Sequence, residues 1–405
     1  MKLVPVAAIA AFVVAGSGTA ARPPALQTSA TSPVSIPFEL ATRHIIVKVS
    51  VNKSRPLSFV LDTGATAAII RMDVAKELGL SLYGSANTGG AGAGRQSGQQ
   101  VKNATWSLVG LDSFADPVRL ALPMPVLPAA LGRDVDGIIG GAFIRQFVIE
   151  LDYQARRMTV HNRETFAYSG RGKTLPLDFN PDGHPVLQAT VTALDGQTFD
   201  RRFMLDTGSG TPLVLHSPFV AEQNLPGPQS KTIRAIGGAG AGGRTVGRVG
   251  RVAALEIGPF RIDSPITMFS EDKAGAFANA SLAGNIGGPI ASRFRLFLDY
   301  GRRRIILEPS PTFAEPFDRA FSGIALRAEG ANYRSFRVVE VLEESPATEA
   351  GIVEGDLITA IDGTLTADLT LTAIHEMLEK PAAYELTIRR GEQTIKTTLR
   401  PRRLI

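Results

Sequence analysis

Two identical four-residue motifs in this chain are able to supply a pair of catalytic carboxylates. Leu-Asp-Thr-Gly occurs at residues 61–64 and again at 205–208, each time after apolar residues and before a small residue and a second apolar run. Two carboxyl groups a few ångströms apart cannot both ionise, so one keeps a proton while the other stays charged. Asp62 and Asp206 would then act together as a general acid and a general base that activate water against an amide.

A chance occurrence is the competing interpretation, because Asp, Thr and Gly are common in surface turns. The surroundings of the motifs repeat as well, since residues 137–153 read GIIGGAFIRQFVIELDY and residues 284–300 read GNIGGPIASRFRLFLDY. Paired arginines follow each copy, and glycine-rich segments at 89–94 and 237–243 occupy equivalent places. We therefore predict that one unit of roughly 130 residues, a usual domain size, is duplicated in tandem.

Composition indicates a soluble globular protein with two or three domains. The chain has 405 residues, of which 44% are hydrophobic and 20% charged, as is ordinary for such proteins. The net charge is +5, but the arginines are dispersed and aromatic residues are few, which argues against nucleic-acid binding. The chain has no cysteine, which excludes disulfides, a thiol nucleophile and a Cys-ligated zinc.

The N-terminus has the pattern of a secretory signal peptide, predicted over residues 1–20. Lys2 precedes an apolar run at 3–14, and small residues follow it. A membrane anchor is the alternative, but about a dozen apolar residues are too few to span a bilayer, so no stable membrane span is expected. Residues 21–37 are predicted to be a flexible tether. The protein is expected to be exported, into a bacterial periplasm or out of the cell.

Strand patterns lead into both acidic motifs. Apolar runs at 44–51 and 57–61 are separated by Asn52 and Lys53, which suit a tight turn. The second copy repeats this arrangement before Asp206. Each aspartate is therefore predicted to lie where a strand gives way to a loop, in lobes that cover residues 38–165 and 172–312.

These features resemble the aspartic proteases over residues 38–310. In that family two similar β lobes face each other, and each contributes one Asp-Thr-Gly loop to the cleft between them. The resemblance implies a mainly β fold with two pseudo-symmetric acid-protease β-barrel lobes, and it identifies Asp62 and Asp206 as the catalytic aspartates. It further assigns support of the active-site loops to Thr63, Gly64, Thr207, Gly208 and Ser209.

The same resemblance extends to the apolar-apolar-glycine element that supports each catalytic loop. The first lobe matches it at residues 138–140, Ile-Ile-Gly. The second lobe has Asn-Ile-Gly at 285–287, which departs from the pattern at Asn285. We expect this departure to alter the packing of the second loop and not the carboxylate itself.

The glycine-rich segments resemble flaps of the retropepsin kind, which close over a bound peptide. Neither segment contains the tyrosine that pepsin-type flaps carry, so the chain is similar to a fused retropepsin dimer. Flexible hairpin tips without a role are the alternative interpretation. The predicted flap residues are Gly89, Gly90, Gly92, Gly237, Gly238 and Gly240.

The residues after the two motif glycines differ, because Ala65 follows Gly64 whereas Ser209 follows Gly208. A hydroxyl at this place is predicted to hydrogen-bond the Asp206 carboxylate and to favour its charged form. We therefore expect Asp206 to be the more often ionised member of the pair, although the dyad titrates as a unit.

Other catalytic chemistries find no support in the sequence. The five histidines lack metal-ligand spacing, so neither a metal nor a cofactor is expected. His216, ten residues after Asp206, is interpreted as a packing or surface residue. No serine lies in a nucleophile elbow, which leaves hydrolysis by activated water.

The C-terminal region, residues 318–402, resembles a PDZ domain. Its signature is Ser-Pro-Ala at 345–347, Ala-Gly-Ile at 350–352 and Gly-Asp-Leu-Ile at 355–358. PDZ domains are α+β folds that take an extended peptide as an added strand and hold its C-terminal carboxylate on backbone amides. The loop has a single glycine, and a structural appendage is the alternative. The predicted peptide-binding residues are Ser322, Gly323, Ile324, Ala325 and Leu326, with a helix at 371–378 along the groove.

Together the sequence predicts an exported aspartic endopeptidase with a PDZ domain that tethers substrates or regulates the enzyme. Its expected partners are a peptide or protein substrate and a C-terminal peptide in the PDZ groove. Two alternatives stay open: a catalytically silent scaffold that binds peptides through its PDZ domain, and a narrow processing enzyme that ignores generic substrates.

Overall fold

The computed structural model describes residues 13–14, 32–114, 120–234 and 239–405. The predicted signal peptide, apart from residues 13–14, lies outside the described residues, as do most of the predicted tether and the flap residues Gly237 and Gly238. In the part that is described, strands dominate and helices are short. No helix there is long and apolar enough to cross a membrane.

The first half of the chain contains, in order, β1 (Val13–Val14), β2 (Val34–Pro37), β3 (Glu39–Ala41), β4 (His44–Val51), β5 (Leu57–Leu61), β6 (Ile69–Arg71), α1 (Met72–Glu77), β7 (Ser81–Gly89), β8 (Gln96–Lys102), β9 (Trp106–Leu108), β10 (Leu111–Phe114), β11 (Leu120–Leu122), α2 (Val126–Leu131), β12 (Gly137–Ile139), α3 (Gly141–Ile144), β13 (Phe147–Asp152) and β14 (Arg157–Asn162). The first lobe is the sheet β1-β7-β8-β11-β6-β12-β5-β4-β9-β10, with β3 paired to β4.

The second half repeats this plan with β15 (Lys173–Pro176), β16 (Asp178–Phe179), β17 (Pro185–Thr192), β18 (Thr198–Asp206), β19 (Leu213–Leu215), α4 (Ser217–Glu222), β20 (Ile233–Arg234), β21 (Ala239–Gly240), β22 (Gly243–Arg244), β23 (Gly247–Arg251), β24 (Ala254–Ile257), β25 (Phe260–Asp263), β26 (Ile266–Ser270), β27 (Gly284–Gly287), α5 (Gly288–Ala291), β28 (Phe294–Asp299) and β29 (Arg304–Pro309). Its sheet is β20-β23-β26-β19-β27-β18-β17-β24-β25, and β21 pairs with β22.

The tandem repeat of the sequence is thus a repeat of topology. In the first lobe β12 runs parallel to β5 and places Ile139 beside Leu61. In the second lobe β27 runs parallel to β18 and places Ile286 beside Leu205. Because all five residues of β5 are buried, each motif begins at the end of a fixed core strand.

A third sheet joins the lobes in the order β15-β29-β28-β13-β14-β2. Its central pair is β13 of the first lobe against β28 of the second, with Ile149 opposite Leu298. One apolar core runs through both lobes and contains, for example, Phe59 and Phe203. The shared sheet and core hold the two halves in one arrangement.

Two expectations are corrected by these sheets. The lobe sheets are open paths whose end strands stay unpaired to each other, so they are not closed barrels. The tether predicted over 21–37 is wrong at its C-terminal end, because Val34–Pro37 is a strand paired with β14. Ile36 is 2% exposed, and burial of this side chain in the lobe core orders the segment.

The C-terminal region is a separate α+β unit with its own apolar core. It contains β30 (Ile324–Glu329), β31 (Ser335–Val341), α6 (Pro346–Glu349), β32 (Leu357–Ile361), β33 (Thr364–Leu365), α7 (Leu371–Leu378), β34 (Tyr384–Arg390) and β35 (Gln393–Leu399). Its sheet order is β30-β31-β32-β34-β35, so β30 is an edge strand. The exact boundaries 318–402, 38–165 and 172–312 remain predictions.

Candidate active site

The two catalytic loops begin at equivalent strand ends. The Asp62 N–H donates to Ile139 O at 2.9 Å, directly after β5. Asp206 is the last residue of β18, opposite Gly287 of β27. Both aspartates have no exposed surface.

The two threonines hold the loops together through reciprocal hydrogen bonds. The Thr63 N–H donates to Thr207 Oγ1 at 3.0 Å, and the Thr207 N–H donates to Thr63 Oγ1 at 2.9 Å. The hydroxyl of Thr63 donates to Leu205 O at 2.7 Å, and that of Thr207 donates to Leu61 O at 3.1 Å. Each hydroxyl thus bridges the lobes, and the loops cannot separate without four buried hydrogen bonds being lost.

The motif glycines lie against the carboxylate of the opposite lobe. A Cβ on Gly64 would lie 2.7 Å from Asp206 Oδ1 and 3.1 Å from Asp62 Oδ1, and one on Gly208 would lie 2.4 Å from Asp62 Oδ1. The carboxylates therefore flank the same point, and only glycine leaves room for them. The structure brings together the predicted pair, Asp62 and Asp206.

Burial raises the pKa of both acids. The pKa of Asp62 rises to about 6, with the Gly64 N–H, which donates to Oδ1 at 2.7 Å, partly opposing the effect of burial. Burial and the charge of Asp62 raise the pKa of Asp206 well above its ordinary value. Asp62 Oδ2 and Asp206 Oδ1 are buried without a hydrogen-bond donor, and one shared proton would satisfy both atoms.

The predicted hydrogen bond from the Ser209 hydroxyl to Asp206 is wrong, whereas its role in supporting the loop stays a prediction. Its hydroxyl donates to Thr211 O at 3.3 Å and accepts from the Thr211 N–H at 3.4 Å. This local turn uses the hydroxyl, which therefore does not reach Asp206. Which of the two acids is the more often ionised stays a prediction, because burial raises the pKa of both and the pair titrates as a unit.

Asn285, and not Ser209, makes the side-chain hydrogen bond to Asp206. Its Nδ2 donates to Asp206 Oδ2 at 2.9 Å, and its Oδ1 lies 2.9 Å from His216 Nε2. His216 is buried, as one of its two interpretations held, and its ring packs near Phe277. Sequence reasoning missed this contact, although the signal was present: a polar residue stands where the supporting element calls for an apolar one.

The glycine-rich hairpins meet at their tips. Gly89 ends β7, and beyond it the Gly242 N–H donates to Ala91 O at 2.8 Å while the Gly94 N–H donates to Gly242 O at 2.7 Å. Gly92 has φ +87°, and a Cβ there would lie 2.6 Å from the Gly242 carbonyl carbon. In the second hairpin Gly240 closes the short pair β21 and β22.

These hairpins belong to the wall of the same site. Ala241, next to Gly240, packs in one apolar cluster with Ala65 of the first catalytic loop and with Leu127 and Leu131 of α2. In the first hairpin, the Gly90 carbonyl accepts from the Ala276 N–H at 2.9 Å. The edge of β7 also carries an added strand, because β1 pairs antiparallel with it at Thr88 and Gly89.

The predicted PDZ loop leads into the edge strand β30. Gly323 has φ +81°, and a Cβ there would lie 2.1 Å from Ser345 Oγ, which explains the single glycine. The Ile324 N–H donates to Ser322 Oγ at 3.3 Å. With Ala325 and Leu326, these residues border a cavity of about 220 Å³ that is also lined by His375 and Leu378 of α7.

The catalytic lobes cover part of this groove. Cα atoms of α2 lie within 8 Å of those of β30, and a Cβ on Gly132 would lie 2.5 Å from the Cβ of Leu371, the first residue of α7. Thr42 N–H donates to Thr372 Oγ1 at 2.9 Å. Ion pairs join Arg43 to Glu379 and Arg244 to Glu340.

A cavity of about 840 Å³ between the first lobe and α7 adjoins these contacts, since Thr42, Arg43 and Glu379 also line it. Charged side chains line it, among them Lys48, Arg133 and Glu376. The docking of the C-terminal unit therefore rests on a few polar contacts and on α2. Among the described residues, no three acidic or histidine side chains form a group that could hold a metal ion.

Comparison with known families agrees with this geometry. A family profile described as aspartyl protease matches residues 47–143 and 188–309, together more than half of the chain. A profile described as PDZ domain matches residues 337–390.

Individual similar proteins cover parts of the chain. The serine protease HTRA1 of Xenopus laevis is 37% identical over 68 residues, which are 16% of this chain and 14% of that protein. The chain therefore spans only a small part of that relative. Among solved structures, the aspartic proteinase of Irpex lacteus is 13% identical with a TM-score of 0.42, covering 70% of this chain and 99% of that one. The HtrA3 PDZ domain bound to a phage-derived ligand is 23% identical with a TM-score of 0.19, covering 20% of this chain and 85% of that one.

Proposed function

Because this chain belongs to the aspartyl protease family, we propose that it is an endopeptidase that hydrolyses peptide bonds with water activated by Asp62 and Asp206. One observation carries the proposal. The two buried carboxylates lie on either side of one point, marked by a Cβ on Gly64 that would be 2.7 Å from Asp206 Oδ1 and 3.1 Å from Asp62 Oδ1, and each has one buried oxygen without a hydrogen-bond partner, Asp62 Oδ2 and Asp206 Oδ1.

The proposed reaction uses the two acids in different states. Ionised Asp62 takes a proton from the bound water as the water attacks the scissile carbonyl carbon. Protonated Asp206 donates its proton to the carbonyl oxygen, where negative charge develops. The tetrahedral intermediate then collapses as a proton passes to the amine, which leaves.

The substrate is proposed to bind as an extended strand beneath the two hairpins. Support comes from the pairing of Val13 and Val14 with β7, since it uses backbone groups that any extended peptide carries. The contact between Gly92 and Gly242 would close the site from above and exclude water.

Single substitutions of the acids test the proposal. Peptide-library digestion at several pH values should fall by about 10³-fold or more in Asp62→Asn and in Asp206→Asn alike, because each removes one proton-transfer group. Asp195→Asn, in an exposed turn of the second lobe, is the matched control and should cleave like the wild type. Retained cleavage in either active-site variant would overturn the proposal.

The alternative is a catalytically silent scaffold that captures peptides through its PDZ domain. The same library separates the two functions, because a scaffold would bind C-terminal peptides without producing any cleavage. A narrow processing enzyme would cut few members of the library and ignore casein.

For the PDZ domain we propose regulation rather than passive tethering. The observation in favour is that Cα atoms of α2 lie within 8 Å of those of β30, while Leu127 and Leu131 of the same helix belong to the apolar cluster that contains Ala65. A C-terminal peptide that adds to β30 must compete with α2, so its binding would loosen a wall of the catalytic site.

We also propose export through a signal peptide at residues 1–20, into a bacterial periplasm or beyond. Cell fractionation and N-terminal sequencing of the mature chain test this. A full-length chain that keeps Met1 and stays in the cytoplasm would rule it out.

A further inference from the structure

The two catalytic loops differ at one topologically matched position. In the first lobe Ile138 of β12 lies opposite Val60 and belongs to an apolar cluster. In the second lobe Asn285 of β27 lies opposite Met204 and donates to Asp206 Oδ2. At this matched position the duplicated scaffold has therefore placed a side-chain amide donor beside Asp206 and an apolar side chain in the lobe of Asp62.

His216 is the partner that orients Asn285. It is the N-cap of α4 as Arg71 is the N-cap of α1 in the first lobe, so the histidine of the second lobe stands where the first lobe has an arginine. Its Nε2 lies 2.9 Å from Asn285 Oδ1, and its Nδ1 lies 3.2 Å from Asn279 O. His216 and Asn285 are both buried, so water cannot replace either contact.

The orientation of the amide follows from the chemistry of its neighbours. In the structure Nδ2 turns towards Asp206 Oδ2 and Oδ1 towards His216 Nε2, which is the orientation required when Asp206 Oδ2 carries no proton. Oδ1 then needs a donor, which places the imidazole proton on Nε2. Nδ1 faces a second acceptor, Asn279 O, so both contacts favour a proton on the ring nitrogen that they face, whereas burial lowers the pKa of His216.

The Asn285 amide also determines which oxygen of Asp206 carries the proton. An N–H that points at Oδ2 excludes a proton from that oxygen, which leaves Oδ1. Oδ1 is the atom without a donor that lies near the Asp62 carboxylate. The proton is therefore held on the side of the shared site.

We propose that Asn285, oriented by His216, is a positioning residue that makes the two aspartates unequal by holding Asp206 with Oδ2 engaged and Oδ1 free to carry the catalytic proton. This inference rests on the proposed peptidase function. Asn285 acts on the reaction through Asp206 and has no contact with substrate in this assignment.

The titratable groups around Asp206 set the expected pH effect. They are Asp62 across the site, His216 behind Asn285, and His44, whose Nε2 lies 3.1 Å from Gly208 O. Tyr300 adds a weak electrostatic interaction with Asp62. Because Asn285 donates to Asp206 Oδ2 and favours its charged form, removing the amide should raise the pKa for the second ionisation of the dyad.

The test replaces Asn285 by the residue of the first lobe, in the full-length chain. In Asn285→Ile the alkaline limb of the kcat profile should move upward by about one pH unit, because a lost amide donor destabilises the charged carboxylate about tenfold. The acid limb should stay in place, kcat should fall about tenfold, and KM should change less than twofold. Ile138→Val, at the matched position of the first lobe, is the control and should leave both limbs unchanged.

His216 variants separate positioning from packing. His216→Leu should move the alkaline limb in the same direction, whereas His216→Gln, which keeps an N–H donor, should restore it. Because His216 acts through Asn285, the double variant Asn285→Ile/His216→Leu should be no worse than Asn285→Ile. Additive losses, or a drop in kcat with an unmoved alkaline limb, would overturn the proposal.

A second measurement does not depend on cleavage. In protein with ¹³C-labelled aspartate carboxyls, the signal missing from Asp206→Asn identifies Asp206, and its titration midpoint should rise in Asn285→Ile. If the wild type cleaves nothing, the proposed function fails, whereas the titration still decides the role of Asn285. An unchanged midpoint in a folded variant refutes this role.

Discussion

At the residue scale, the site depends on atoms that fit together with no spare space. Gly64 and Gly208 each lie against the opposite carboxylate, and each threonine hydroxyl crosses to the other lobe. The cost of burying two acids is met by sharing one proton, and this same sharing makes the pair chemically useful. Activity should therefore respond to any substitution that moves either carboxylate out of this arrangement.

Gly64→Ala should abolish peptidase activity while leaving the fold largely intact. The new Cβ would lie 2.7 Å from Asp206 Oδ1, so the carboxylate must move out of the shared site. We expect a loss of about 10²-fold or more in kcat/KM, as for other displaced catalytic groups. Gly301→Ala is the control, since its Cβ meets no atom closer than 3.9 Å, and equal activity of the two variants would contradict this packing argument.

The dyad should also make stability fall as the pH rises. The pKa of Asp62 is raised from 3.8 to about 6 by burial, so the folded state prefers the protonated form. This contribution is fully present below about pH 3.8 and is lost as the pH rises through about 6. Urea unfolding between pH 4 and 7 should show the wild type losing up to about 3 kcal/mol relative to Asp62→Asn. A difference that stays constant or grows in the other direction would contradict the raised pKa.

At the element scale, α2 is shared by two sites. Leu127 and Leu131 face the apolar cluster that contains Ala65 and Ala241, while the same helix lies within 8 Å of β30 in the PDZ groove. The Arg244 to Glu340 ion pair joins the second hairpin to β31. The PDZ domain thus contacts both walls of the candidate active site, one through α2 and one through this ion pair.

Breaking this ion pair should increase the affinity of the PDZ groove for peptides. Arg244→Glu places two like charges together, which weakens docking and exposes β30. A labelled hexapeptide ending in isoleucine with a free carboxylate should bind about fivefold or more tightly to the variant than to the wild type, as measured by fluorescence anisotropy.

Two controls accompany this measurement. The charge swap Arg244→Glu/Glu340→Arg should restore the wild-type affinity, and the C-terminally amidated hexapeptide should bind neither form, because the carboxylate is its anchor. Equal affinity for wild type and Arg244→Glu would mean that the lobes do not restrict the groove.

At the scale of the whole molecule, the lobes are one cooperative body and the PDZ domain is a second. The two lobes share a sheet through β13 and β28 and a common apolar core, whereas the PDZ domain has an apolar core of its own. A few polar contacts join the PDZ domain to the lobes, and a cavity of about 840 Å³ lined by charged side chains lies between the two bodies. Such interfaces permit relative motion.

Calorimetry of the full chain should therefore resolve two transitions. Leu255→Ala in the lobe core should lower one transition and Leu386→Ala in the PDZ core the other, each by about 2–5 kcal/mol of unfolding free energy. Both side chains have no exposed surface, which makes the pair comparable. Separate transitions for the two lobes would contradict the shared core.

The sequence by itself determined the elements whose signals are local or repeated. Two identical motifs at matched distances predict two equivalent strand ends, and a duplicated scaffold can bring such ends together only as a pair, as it does for Asp62 and Asp206. The PDZ signature likewise identified its domain from turns and apolar positions within one short segment. Three predictions were wrong: a hydrogen bond from Ser209 to Asp206, closed barrels, and a tether at 34–37. Each of them depended on which partner a residue would meet in the folded chain.

Only the tertiary structure decided those partners. Asn285 and His216 are 69 residues apart, and no periodicity relates an amide to a carboxylate 79 residues away. The approach of α2 to β30 likewise depends on how two separately folded bodies dock. Hydrogen bonds and domain contacts act over a few ångströms, so residues that are far apart in the sequence become partners only when the fold brings them together.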